Sequence, residues 1–182
     1  MTLNLGLWAA MAFSALGQAG PSQGAKDDAL VFKTVIENTI PYFDDCYQNA
    51  RDGGADYALL RPCNLALENE ALTPRLTAIA HVNRGVIRYN LGDYEDAIED
   101  FSAALDLDIH VKAKVLVNRG LSYEAANAER LARIDYESAL AFNPDNETAR
   151  RRLEELKKPI YERSKLPSRI NAGVVAAPSA GI

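Results

Sequence analysis

The sequence predicts an all-α fold, an α-α superhelix of antiparallel helix pairs, and three observations carry that reading. Asn-Arg-Gly occurs at 83–85 and again at 118–120, and the same 35-residue offset carries Ala97 onto Ala132, Phe101 onto Tyr136 and Ala104 onto Ala139. Small and aromatic residues returning in phase at such a period are the mark of stacked helix-turn-helix units. Apolar residues recur at helical spacing between Gly, Pro and Asn punctuation. The 182 residues, 48% apolar and 25% charged, suffice for one domain with a continuous core.

Leu3 to Leu16 is apolar apart from Asn4 and Ser14 and ends at Gly17-Gln18-Ala19, small residues where a signal peptidase inspects the chain. Residues 1–19 therefore read as a signal peptide, and the destination as periplasmic or secreted. No Lys or Arg precedes Lys26, so the positive charge at the start comes only from the amino terminus. An uncleaved anchor is the alternative, although the run is short for a membrane span. After cleavage no stable membrane insertion is expected.

Residues 20–27, rich in Gly, Pro, Ser and Gln, are a flexible lead-in. Asp27 or Asp28 can cap a helix carrying Leu30, Val31, Val35 and Ile36, which Pro41 ends or kinks at Ile40. Cys46 and Tyr47 extend the pattern to about Ala50, and Gly53-Gly54 makes a turn. Leu59, Leu60, Cys63 and Leu67 then share a face, with Pro62 either opening that helix or breaking it. Residues 28–70 thus form a degenerate helical hairpin.

Cys46 and Cys63 are the only cysteines. In an exported chain they pair as a disulfide, closing a loop of about 16 residues worth about 3 kcal/mol. The alternative is two buried thiols serving as small apolar residues.

Thr73-Pro74 is a strong helix start, since Thr caps and Pro at the first helical position gives up an amide without a partner. This helix runs to about Asn90. Leu91-Gly92-Asp93 stops it and restarts the next, Tyr94 to about Asp106, with Asp93 as cap. Further helices follow from about His110 to Ala126, Ala128 to Phe142 and Glu147 to Lys158, the last after Asn143-Pro144-Asp145. On the closing helix Ala149, Leu153 and Leu156 form one stripe, while Glu147, Arg150, Arg151, Glu154, Glu155 and Lys158 face water, as suits the end of a stack. Residues 163–182, rich in Ala, Gly, Pro and Ser, are expected to be a disordered tail.

These residues resemble the tetratricopeptide repeat family, in an exported bacterial type. Gly85 and Gly120 stand at the family's helix A glycine, Ala97 and Ala132 at the first close-contact alanine of helix B, Phe101 and Tyr136 at its aromatic, Ala104 and Ala139 at the second alanine, and Pro144 at the closing proline. Ile109 departs from that proline in the first unit, Ala126-Asn127-Ala128 replaces a Leu-Gly-Asp turn in the second, and His81 replaces an aromatic. The resemblance implies about two good repeats within residues 74–162, closed by a C-terminal capping helix.

The same resemblance implies a concave peptide-binding groove lined by Ile79, Val82, Asn83, Val86 and Tyr89 and by Lys114, Val117, Asn118 and Leu121. Apolar positions would take side chains of a bound segment, and the asparagine amides its main chain. In the other reading the chain's own N-terminal helix or tail covers the groove. Asn83 and Lys114 match only part of a clamp for a peptide C-terminus. Arg84 and Arg119 replace the usual leucine, and Asp100 and Asp135 each follow 16 residues later. They read as structural ion pairs, within a unit or from Arg119 to Asp100 across units.

No nucleophile beside a base, paired acids or metal-ligand spacing occurs, so no enzyme, catalytic residue, metal or cofactor is expected. His81 and His110 read as surface residues, and Asp93, Glu95, Asp96, Glu99 and Asp100 as a solvated helix face. A net charge of −5 argues against nucleic acid as partner. The function expected is an exported adaptor binding a protein or peptide; the alternative is a structural or oligomeric subunit of an envelope assembly. The sequence leaves the partner and the oligomeric state open.

Overall fold

The computed structural model of the protein describes residues 42–68, 72–107 and 109–170. The expected signal segment and lead-in, and the helix expected from Asp27 or Asp28 to Ile40, lie outside them, as do residues 171–182. The described residues form helices joined by turns: α1 (42–52), α2 (Leu60–Leu67), α3 (Pro74–Leu91), α4 (Tyr94–Asp106), α5 (Lys112–Ala125), α6 (Glu129–Phe142) and α7 (Glu147–Lys157). Single 3-10 turns at Tyr57–Leu59 and Ile160–Glu162 precede α2 and follow α7. Helices α3 with α4, and α5 with α6, are the two antiparallel pairs.

Local chemistry accounts for the boundaries. Gly53 ends α1's turn at φ 67°. Pro62 opens α2 rather than breaking it, because it occupies the first turn, where its missing amide would have had no partner. Thr73 Oγ1 accepts the Leu76 amide at the start of α3. At the other end Gly92 adopts φ 92°, and the amides of Gly92 and Asp93 close back onto the carbonyls of Tyr89 and Arg88. The second pair makes the corresponding turn with Asn127 at φ 60°, a residue that tolerates the left-handed region better than most.

Two capping expectations need correction. The Asp93 carboxylate makes no cap hydrogen bond and instead accepts from the Tyr57 hydroxyl at 3.0 Å. His110 and Val111 form a turn ahead of α5, which starts at Lys112.

The core lies between the pairs. Ala97, Phe101 and Ala104 from α4 and Ala132, Tyr136 and Ala139 from α6 are fully buried, together with Val82, Val86, Val115 and Cys63. Glycine on α3 and α5 is a packing requirement. A Cβ at Gly85 would stand 2.8 Å from Phe101 Cε1, and one at Gly120 would stand 2.6 Å from Tyr136 Cε1. Both rings are locked in the core, so neither can swing aside. Gly120→Ala should therefore cost about 3 kcal/mol of overpacking, of which alanine's better helix propensity returns about 1. A urea midpoint equal to that of the unaltered chain would show that the helices can move apart freely.

Cys46 on α1 and Cys63 on α2 are joined by a disulfide and fully buried. A second apolar cluster, Phe43, Ala66, Ile79 and Ala80, seats this N-terminal hairpin on α3.

The tail departs most from expectation. Residues 163–170, expected to be disordered, lie against the helices, and Ile170 is buried in the main core. Side chains of α3, α6 and α7 hold this stretch by hydrogen bonds to its backbone and to its own side chains.

Candidate functional site

Helices α3 and α5, the first members of the two pairs, present one wall of the stack, which the closing helix α7 extends through Arg152. Eight of the nine expected groove residues are buried there: Ile79, Val82, Asn83, Val86, Tyr89, Val117, Asn118 and Leu121. Lys114 is exposed, and it borders a separate open pocket of about 460 Å³ with His110, Lys112 and Phe142. Most of the wall is therefore in contact with protein, and Ile79 packs with Phe43 of α1.

At the C-terminal end of α3 the covering segment is the tail. Tyr89 donates its hydroxyl to the Pro167 carbonyl at 2.8 Å. Burial pushes this phenol far up from its ordinary pKa, so it stays a donor. Asn90 Oδ1 accepts the Ile170 amide at 2.8 Å while its Nδ2 donates to the Ile170 carbonyl at 3.2 Å. One side-chain amide thus satisfies both main-chain groups of one residue. Asn90 was not among the expected groove residues, although its place one step beyond Tyr89 on α3 was a signal available in the sequence.

Two further residues of the wall carry no such signal. Arg152 of α7, 2% exposed, pairs with Glu124 of α5 through Nη2 and Nε at 2.7 and 2.8 Å. The Tyr136 hydroxyl adds a third bond to Glu124. Glu155, expected to face water, is instead buried and accepts the Ser164 amide at 2.7 Å. Hydrogen bonds from Lys158 and from that amide hold its carboxyl down to about 2.

The arginine–aspartate pairs form within units. Arg84 binds Asp100 through Nε and Nη2, at 2.9 and 2.7 Å for the shorter contacts, and Arg119 binds Asp135 through the same two nitrogens, both at 2.8 Å. Their third nitrogens tie neighbouring units: Arg84 Nη1 donates to Asn64 on α2, and Arg119 Nη1 to Ser102 on α4. Asp100 is therefore buried, not part of a solvated face. It also accepts from Arg88 and from His81, whose ring points at it instead of standing free on the surface. Burial pushes the Asp100 carboxyl up, but the bonds from His81 and Arg84 and the charges of Arg84 and Arg88 outweigh it and hold the pKa below the ordinary value.

Residues 78–109, the stretch holding most of α3, all of α4 and the start of the following turn, match the Tetratricopeptide repeat family. The fold is a tetratricopeptide-type stack. Over 82 residues the sequence is 34% identical to sperm-associated antigen 1 of Mus musculus, an alignment covering 45% of this chain and 9% of that protein. The likeness thus concerns a small part of a much longer chain. Repeats of this kind serve as protein-interaction scaffolds. No helix among the described residues is long and apolar enough to cross a membrane.

Proposed function

We propose that the protein is an exported adaptor whose inner wall, formed by α3 and α5, binds an extended protein or peptide segment. The observation that carries this reading is the Asn90–Ile170 pair: the wall already holds a stretch of main chain outside any helix through a side-chain amide and a phenol. Asn83 on α3 and Asn118 on α5 lie further along the same wall, buried among Val82, Val86, Val117 and Leu121. Export, to the periplasm or the exterior, is supported by the apolar leader and by a disulfide, a bond that persists in oxidising compartments.

Capture with the chain from the compartment it is exported to, repeated with Asn83→Ala/Asn118→Ala, tests the reading. Partners should bind at least tenfold more weakly to the double variant. Equal affinity would remove the wall as the binding site.

One feature favours assembly as a second reading. Leu131, Ile134 and Phe142 run along the outer side of α6 at 44, 48 and 62% exposure. Light scattering separates the two: a monomer supports the adaptor, and a stable oligomer that Ile134→Asp dissociates supports the structural subunit.

A further inference from the structure

The chain leaves α7 at Pro159 and turns back along the wall, held at several points. Arg163 reaches Glu129 of α6 and the Leu156 carbonyl, and Ser164 is bonded by Glu155 and Arg152 of α7. Pro167 and Ile170 are then held by Tyr89 and Asn90 of α3. Arg169 Cδ passes within 3.7 Å of where a Cβ on Gly53, at the end of α1, would stand. No helix or strand organises residues 163–170, so their conformation is imposed by the surface they lie on. Asn90 reads main chain and is indifferent to sequence; selectivity comes from its flanks. A proline presents a carbonyl to Tyr89 without an amide of its own to satisfy, and an aliphatic side chain fills the site that buries Ile170.

We propose that Tyr89, Asn90 and the site around Ile170 form a peptide-recognition subsite. Its ligand class is an extended segment carrying a proline and, three residues later, an aliphatic residue. Residues Leu166–Ile170 are its intramolecular occupant, and a partner segment of the same chemistry binds by displacing them. This rests on the binding role proposed above and adds the ligand class and the competition. A tethered occupant acts at an effective concentration in the millimolar range, so a partner's apparent affinity falls in proportion to the fraction of time the subsite stands empty.

The test uses the full chain and a fluorescent, C-terminally amidated peptide of residues 163–170. Ile170→Glu in the chain removes the anchor of its own tail, and trypsin cleavage after Arg169 should speed up as the tail leaves. The peptide should then bind this variant at least tenfold more tightly than the unaltered chain. Adding Asn90→Ala, or the milder Tyr89→Phe, should weaken it by tenfold or by a few fold respectively, with helix content checked by circular dichroism. Glu in place of Ile170 in the peptide should abolish binding. Equal affinity for the unaltered and Ile170→Glu chains would overturn the competition, and no binding to a chain whose tail is rapidly cleaved would overturn the subsite. If partners captured by the wall are lost on changing Asn83 and Asn118 while the peptide fails to bind, the adaptor stands and the subsite falls. If the peptide binds while no partner is captured, the subsite stands and the adaptor falls.

Discussion

Asp100→Asn is expected to destabilise the protein by about 3–5 kcal/mol, the range for removing one partner from a buried ion cluster. The carboxylate is 2% exposed and accepts from Arg84, Arg88 and His81. An asparagine of the same size fills the space but takes from two neighbouring guanidinium groups the buried charge they share. Arg84 would retain only the uncharged Asn64, while Arg88 would retain the Asp96 carbonyl and, at 3.6 Å, the exposed Asp96 carboxylate. Asp135→Asn provides the internal control. At the positions equivalent to His81 and Arg88 the second unit has Leu116 and Tyr123, so only Arg119 loses its partner and the loss should be smaller. Urea midpoints for the two variants measure the difference, and equal losses would show that Arg88 and His81 add nothing.

The same site sets an acid limit. Because the folded-state pKa of Asp100 lies below its unfolded value, the stability it contributes is present above the unfolded pKa of 3.8 and is lost as pH falls through the folded value. The unaltered chain should therefore lose stability on acidification below about pH 4 more steeply than Asp100→Asn, which has already lost that contribution. Parallel curves would mean that other carboxylates govern the acid limb.

How far the sequence revealed this structure depended on how locally each feature is encoded. Thr73-Pro74, Gly92 and Asn127 act through backbone conformation at their own positions, so the helix ends could be read directly. The glycine and aromatic repeat positions were legible because both recur at one offset, and Arg84–Asp100 and Arg119–Asp135 because the pairing appears twice with the same spacing; that each glycine lies against its aromatic emerged only in the fold. The tail had no such signal. Asn90 and Ile170 are 80 residues apart, and a stretch of Ala, Gly, Pro and Ser has too little apolar surface to order itself. Its order comes from docking on side chains that belong to other helices. Arg152 was hidden differently: in the run Arg150-Arg151-Arg152 composition cannot say which arginine turns inward to Glu124. Asp93 was drawn from its cap by Tyr57, a contact across 36 residues that no local rule anticipates.

Cys46→Ser/Cys63→Ser is expected to cost about 3 kcal/mol through the loop that the bridge closes, a value set by chain entropy in the unfolded state. For a protein of this size that lowers the melting temperature by about 6–12 °C. The loss should be unevenly distributed, since the bridge fastens α1 to α2 and this hairpin seats Phe43 and Ala66 on Ile79 and Ala80 of α3. Two regular pairs make a short stack, and each of its ends depends on an attachment: the hairpin at one end, α7 with its Arg152–Glu124 bridge at the other. Hydrogen exchange in the double variant should therefore rise first across residues 42–67 and then in the first half of α3, while α5 and α6 keep their protection. Uniform loss of protection would mean that the hairpin and the repeats unfold as one unit. Because α1 ends at Gly53, against which Arg169 of the tail lies, loosening of α1 should also speed tail release. Faster trypsin cleavage after Arg169 in the double variant would tie the bridge to the occupancy of the Asn90 subsite, and an unchanged rate would show that the two ends of the stack act independently.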